Sequence, residues 1–227
     1  ITPLDLMPKI KDGGTLKTVI GYLPALEEMG QIYKKDIYHH FRPYPSHMRA
    51  WIEKIKEGQS AFDNLDHKRK PHKIANGKVT YNQNKNGDKY TRNYWDKPGP
   101  CIHTRNDILA SQSTIHPKDD RVFSVRELMR LMSIPDHFKW SEIPDTVLNK
   151  MSYEDKRKFL KREETNIRQS IGEAVPTIIF NQIAKNIKLL FNQPRLDESK
   201  IKKLIEDCNL EDRTKLKSFL KENINNF

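Results

Sequence analysis

The chain has 227 residues, 36% of them hydrophobic, 31% charged, with a formal net charge of +11. That length supplies one large or two small domains with a real core, and it contains no apolar run near the roughly 18 residues of a membrane span. Two cysteines, Cys101 and Cys208, form neither a disulfide framework nor a four-ligand zinc site by themselves, so a reducing cytoplasm is expected.

Residues 1–45 read as mostly irregular, punctuated by Gly13-Gly14 and by prolines at 3, 8, 24, 43 and 45. The opening ITPLDLMPKI lacks the basic-then-apolar order of a secretory signal. Within this stretch Leu16, Val19, Ile20 and Leu23 recur at helical spacing. From Ser46 a helix is expected, with Met48, Trp51, Ile52 and Ile55 on one face and Gly58 as its stop.

Residues 64–122 change character. Asn76-Gly77 and Asn86-Gly87 are hairpin signals of the type I′ kind. Around them lie short β-prone runs, Lys78–Tyr81, Lys89–Trp95 and Cys101–Thr104. The expectation is a small, twisted, largely polar β module. Its charge is concentrated: between His67 and Arg105 ten lysines and arginines face only Asp88 and Asp96, which accounts for most of the net charge. Lys and Arg displace condensed counterions from phosphates, so such a segment is the footprint of a polyanion partner, or else a solvated basic loop. Tyr81, Tyr90, Tyr94 and Trp95 are interleaved with Asn82, Gln83, Asn84 and Asn86, amides able to read base edges. Tyr81 and Tyr90 can equally be core aromatics.

A helix is predicted from Ser124, because Ser124-Val-Arg-Glu127 matches the capping box before Leu128, Met129, Leu131 and Met132, with a stop before Ile134-Pro135. A charged helix follows at about 153–168, capped at Ser152, and Gly172 is expected to break the chain. Pro176 opens a helix bearing Ile178, Ile179, Ile183, Ile187 and Leu190. Two Lys-rich amphipathic helices are expected at roughly 197–207 and 211–223.

Three segments resemble bacterial DNA (cytosine-5) methyltransferases, in family order. Asn93-Tyr-Trp-Asp-Lys-Pro-Gly-Pro-Cys-Ile-His-Thr-Arg105 is similar to the W-D-K-P-x-P-T-I-T-T-R stretch of the target recognition region. His116-Pro-Lys-Asp-Asp-Arg-Val-Phe-Ser-Val-Arg-Glu-Leu-Met-Arg-Leu-Met-Ser-Ile-Pro-Asp-His-Phe138 resembles the ninth conserved block, and Arg168-Gln-Ser-Ile-Gly-Glu-Ala-Val-Pro176 the tenth. The resemblance spans about 15–190, diverging at 141–165. The family's Gly-rich loop, Pro-Cys nucleophile loop, Glu-Asn-Val block and Gln-x-Arg-x-Arg block have no counterpart. Pro100-Cys101 falls where the family has Pro-Thr, so Cys101 reads as a small, partly buried residue and not as a nucleophile.

The resemblance implies an enzyme whose cysteine attacks C6 of a flipped cytosine, with a glutamate at N3, so that C5 takes the methyl group of S-adenosylmethionine. It implies that this chain supplies the DNA-reading half and the strap returning to the catalytic domain, and that alone it binds double-stranded DNA weakly and transfers no methyl group. The catalytic part is an N-terminal domain or a separate subunit, in a restriction–modification system of the bacterial cytoplasm, with no membrane partner. The fold class expected is α+β, a small twisted β-rich target recognition domain flanked by helices with a C-terminal helical extension. Its divisions are 1–60 as linker and helix from the catalytic domain, 61–122 as recognition module, 123–190 as the ninth and tenth blocks, and 191–227 as extension. Expected DNA contacts are Arg92, Lys97, Thr104 and Arg105, with Lys85 and Lys89 on phosphates and Trp95 as a structural pin. Arg121, Arg126, Glu127 and Arg130 are expected to form a structural charge network, and Gly172, Glu173, Ala174 and Val175 to face the cofactor, whose carboxylate the next helix N-terminus favours. Glu173 departs from the family's Asn; a carboxylate there repels anions but accepts from the cofactor's ammonium. Two rival readings are a DNA-binding module without catalysis and an RNA-binding protein stacking bases on Tyr90, Tyr94 and Trp95.

Overall fold

The computed structural model describes residues 6–7, 14–82 and 88–192. The chain divides into a main unit, Pro8–Gln182, and a second unit made of Ile1–Met7 with Ile183–Phe227. In the second unit Asn186 Nδ2 donates to the carbonyls of Leu6 and Met7, at 3.2 and 3.3 Å. The helices predicted at 197–207 and 211–223 and the Asn86-Gly87 turn lie outside the described residues.

The main unit is α+β in content, with one two-stranded sheet among the described residues. Helix α1, Leu16–Ile20, begins at Thr15, whose side chain accepts from the Thr18 amide. Its first free amides are satisfied from far along the chain: Leu16 N donates to Lys97 O and Lys17 N to Trp95 O, both at 2.9 Å. Helix α2, Arg49–Ile52, follows a 3₁₀ turn, Ser46–Met48, and is shorter than the spacing predicted. The reason is visible at its end, where side chains from elsewhere take the helix carbonyls: Asn64 Nδ2 donates to Trp51 O and Arg92 to Ile52 O and Ile55 O.

The Asn76-Gly77 hairpin forms as expected. Strands β1, His72–Ala75, and β2, Lys78–Tyr81, pair antiparallel with Ala75 opposite Lys78, and φ is +50° at Asn76 and +74° at Gly77. Both central residues of a type I′ turn need positive φ, which Asn and Gly tolerate. So short a hairpin cannot bury a face of its own. It is anchored at its open end, where Tyr81 packs edge-on against His67 and His72, and His72 against Trp51.

The rest of the predicted β module is a correction. Residues 89–95 and 101–104 form no ladder; residues 89–92 are tied by isolated bridges, Ser60 to Thr91, Lys89 to Gln112 and Arg92 to Ile115. Buried side chains hold this region instead, with Trp51, Ile52, Ile55, Tyr90, Leu109 and Ile115 in one apolar cluster. Tyr90 is thus a core aromatic.

Helix α3, Val125–Leu131, carries the predicted capping box at Ser124 and Glu127, and α4 is Asp145–Leu148. Helix α5, Tyr153–Glu173, starts after its cap at Ser152 and ends one residue past Gly172, where the break is expected. Helix α6 is Thr177–Asn192. A second cluster joins Leu16, Ile20, Ile37 and Tyr38 to Phe123, Leu128, Phe159, Ile167 and Ile171. Leu16, Ile20, Ile37 and Tyr38 are therefore built into the same core as the ninth and tenth segments. Each such buried aliphatic side chain stabilises by about 1.5–3 kcal/mol.

Candidate nucleic-acid interface

The basic residues of the middle segment separate into interior and surface sets. Arg92 is 4% exposed. Its guanidinium donates to the carbonyls of Ile52, Ile55, His116, Lys118 and Asp119 and to Asp120 Oδ1 at 2.6 Å. A group that saturated has no donor left for a base, so Arg92 is a structural pin between α2 and the 116–120 loop, not a DNA contact. Lys85 lies outside the described residues, and Lys89 is half-buried.

Lys97, Thr104 and Arg105 are exposed. They lie on one loop whose backbone is fixed at both ends, by α1 at residues 95–97 and by α5 at residues 103–106. Tyr94 carries Lys97 Nζ over its ring at 3.7 Å from the centroid, and its hydroxyl edge occupies the place of a Cβ at Gly58, where φ is +77°. Trp95 is partly buried, edge-on to His116 at 5.1 Å. Cys101, expected to be partly buried, is exposed.

The ninth segment holds two charge networks. In the first, Arg121 makes a two-pronged pair with Glu127, at 2.7 and 2.8 Å, and a second with Asp119 Oδ2, at 3.0 and 2.7 Å, all three nine-tenths buried or more. Burial alone raises a carboxyl pKa, but the guanidinium of Arg121 outweighs it and holds Glu127 far below the usual range. His116 sits beside them with Nδ1 accepting from the amides of Lys118 and Asp119. Burial lowers its imidazole to about 4, against the opposing pull of Glu127. In the second network Arg126 pairs with Asp36 at 2.6 Å, and Arg126 and Arg130 share Asp136. Glu127 answers Arg121 and the Ser124 amide.

The end of α5 meets the recognition loop. A Cβ on Gly172 would lie 2.5 Å from His103 C and Thr104 N, so this glycine permits backbone contact between helix and loop. One turn earlier Arg168, 1% exposed, donates to Glu164, to Asn106 Oδ1 at 3.1 Å and to Phe123 O at 3.1 Å. Asn106 Nδ2 donates in return to Arg168 O and to His103 O. Behind them His40 Nε2 lies 3.2 Å from Glu164 and its Nδ1 2.8 Å from Ile37 O. Burial raises the Glu164 carboxyl, yet His40 and Arg168 bring it down to about 2. The four spacing between Glu164 and Arg168 was visible in the sequence; His40 and Asn106 had no signal there.

The residues expected at a cofactor divide likewise. Gly172 serves the loop, which a ligand would have to displace. Glu173, Ala174 and Val175 are exposed, and Glu173 accepts from Gln169 at 2.8 Å. The start of α6 does not offer the expected anion site, because Thr177 N donates to Met132 O and Ile178 N to Ser133 Oγ. What remains fits a cationic group against the Glu173 carboxylate. Among the described residues no acidic, histidine or cysteine group could hold a metal ion, and no helix is long and apolar enough to cross a membrane.

Residues 8–189 match the family model described as C-5 cytosine-specific DNA methylase. The chain is 34% identical over 182 residues to the type II methyltransferase M1.HgaI of Avibacterium volantium, an alignment covering 76% of this chain and 44% of that protein. It is 30% identical over 102 residues to the type II methylase M.HgiDII of Herpetosiphon aurantiacus, covering 45% and 24%. A 61-residue stretch is 36% identical to the DNA (cytosine-5)-methyltransferase CMT2 of Arabidopsis thaliana, covering 27% and 5%. The chain thus spans less than half the length of these curated relatives.

Proposed function

The chain belongs to the C-5 cytosine-specific DNA methylase family, and from that premise we propose that it is the DNA-recognition and closing portion of such an enzyme. The enzyme transfers a methyl group from S-adenosylmethionine to C5 of a flipped cytosine in double-stranded DNA, within a restriction–modification system. Support comes from one observation above the rest. The exposed Lys97, Thr104 and Arg105 sit on a loop held by α1 and by Gly172 of α5, so the proposed DNA-reading groups and the Glu173 turn lie on elements in direct contact.

Lys97 and Arg105 supply charge to phosphate and guanine edges, and Thr104 a hydroxyl to either. S-adenosylmethionine supplies the electrophilic methyl group when bound. Glu173 would accept from its ammonium, with Ala174 and Val175 as small and apolar walls beside it. The catalytic portion, as a domain or a separate subunit, brings the thiol that activates the base. Val175, Ile178 and Phe180 are 46%, 55% and 58% exposed, an apolar face suited to receiving that portion.

The test is complementation. This chain is mixed with a catalytic segment carrying a Gly-rich loop and a Pro-Cys nucleophile, and tritiated methyl transfer to duplex DNA is measured. Transfer that needs both pieces supports the reading. Duplex binding without transfer favours a recognition module that has lost catalysis. Stronger binding to single-stranded RNA than to duplex DNA at the same salt would overturn it.

A further inference from the structure

Resting on that recognition reading, we propose that the cleft between residues 30–43 and α5 is a second DNA-backbone site, entered through a paired-arginine clamp, Arg42 and Arg105, on Asp107. Asp107 Oδ1 takes Arg105 Nε at 3.2 Å and Asp107 Oδ2 takes Arg42 Nη1 at 3.3 Å. The Asp107 side chain is 13% exposed, while those of Arg42 and Arg105 are 52% and 66% exposed. One sheltered carboxylate thus orients two guanidiniums and neutralises only one. Each spends a single N–H on it and keeps the rest of its fork for an oxyanion, the geometry in which arginine holds phosphate two-handed.

The basic surface does not stop at Arg105. Arg42 also lines a cleft of about 270 Å³, whose far wall is α5 with exposed Arg157, Lys158 and Lys161. Two acids share it. Glu164 is engaged by His40 and Arg168, which leaves Glu154 as the opposing charge. Lys158 is partly answered by Asp155 at 3.5 Å. Arg157 stacks on Tyr153 and donates to its hydroxyl, which aims the guanidinium. From residue 154 to residue 165 the helix runs roughly 17 Å, the rise of about five base-pair steps. A duplex read at Thr104 and Arg105 therefore meets further cations to one side, on an element that also carries Gly172. These contacts are with phosphates and carry no sequence information.

The test measures binding of the whole 227-residue chain to fluorescent duplex DNA between 50 and 200 mM salt. In the triple variant Arg42→Gln, Arg157→Gln, Lys161→Gln the slope of log K against log salt is expected to become shallower by about 2–3, near 0.9 per phosphate lost. Relative affinity for different duplex sequences and the melting temperature stay unchanged. Arg42→Lys keeps the slope, because charge is retained. Lys150→Gln, an exposed lysine outside the cleft, serves as control. If the triple variant keeps the wild-type slope while Lys97→Gln weakens binding, the cleft proposal is overturned and the recognition reading stands. If the wild-type chain binds no duplex, both fall.

Discussion

Replacing Gly172 by alanine sets two local effects against each other. In an isolated helix alanine is favoured over glycine by about 1 kcal/mol. In this helix the added methyl would stand 2.5–2.6 Å from three backbone atoms of His103 and Thr104, where ordinary carbon contacts need roughly 3.5–4.0 Å. Helix and loop must part by about 1 Å. Neither side is a flexible chain end. The loop is tied by Asn106 to Arg168 through bonds of 3.0 and 3.1 Å, which stretch beyond hydrogen-bonding range if the gap opens. Overpacking of this kind costs about 1–3 kcal/mol, and two lost hydrogen bonds add about 1 kcal/mol each. Subtracting the helix gain leaves a net loss of about 2–4 kcal/mol, or roughly 4–16 °C in melting temperature for a chain of this size. Thermal unfolding followed by circular dichroism measures it, with Ser170→Ala, exposed on the same helix, as the neutral control. A Gly172→Ala protein that melts at or above the wild-type temperature refutes the contact.

Three further outcomes follow from the buried charges. Arg168→Met strands Glu164 without its guanidinium and should cost roughly 3–5 kcal/mol, partly recovered in Arg168→Met/Glu164→Leu; equal stability of the two variants in urea titration would contradict the pairing. Arg92→Lys cannot reach six acceptors with three donors, so it should destabilise by about 3 kcal/mol or more, whereas Lys97→Ala weakens DNA binding with unfolding unchanged; the reverse pattern would return Arg92 to the DNA surface. Acid should unfold the chain in two overlapping stages. His116 is lowered to about 4 from 6.5, so the unfolded state gains a proton first and stability falls from pH 6.5 towards 4. Glu164 is lowered to about 2 from 4.5, so its contribution, complete above 4.5, is lost as pH drops towards 2. Urea midpoints at several pH values test both, and a midpoint constant from pH 7 to 3 would rule them out.

Some of this molecule is legible one window at a time. The capping box at Ser124 and Glu127, the Asn76-Gly77 hairpin and the start of α5 at Ser152 depend on residues one to three apart, and each formed where the sequence placed it. The core face of α3 follows from spacing in the same way. Family membership was readable too, because the three segments keep their order along the chain.

What the tertiary structure decided is which charges face water. Arg92 and Arg105 stand thirteen positions apart in one basic run, yet one donates to five carbonyls in the interior and the other is exposed. Gly172 stands at the end of its helix, as a break was read, but the need for glycine there comes from the backbone of His103 and Thr104 packed against it. The β-rich module dissolved into isolated bridges, since side chains of residues 89–95 find backbone partners twenty or more positions away instead of a facing strand. Composition records how many cations a segment carries. Whether a guanidinium is a pin or a contact depends on acceptors that only the folded backbone brings within 3 Å of it.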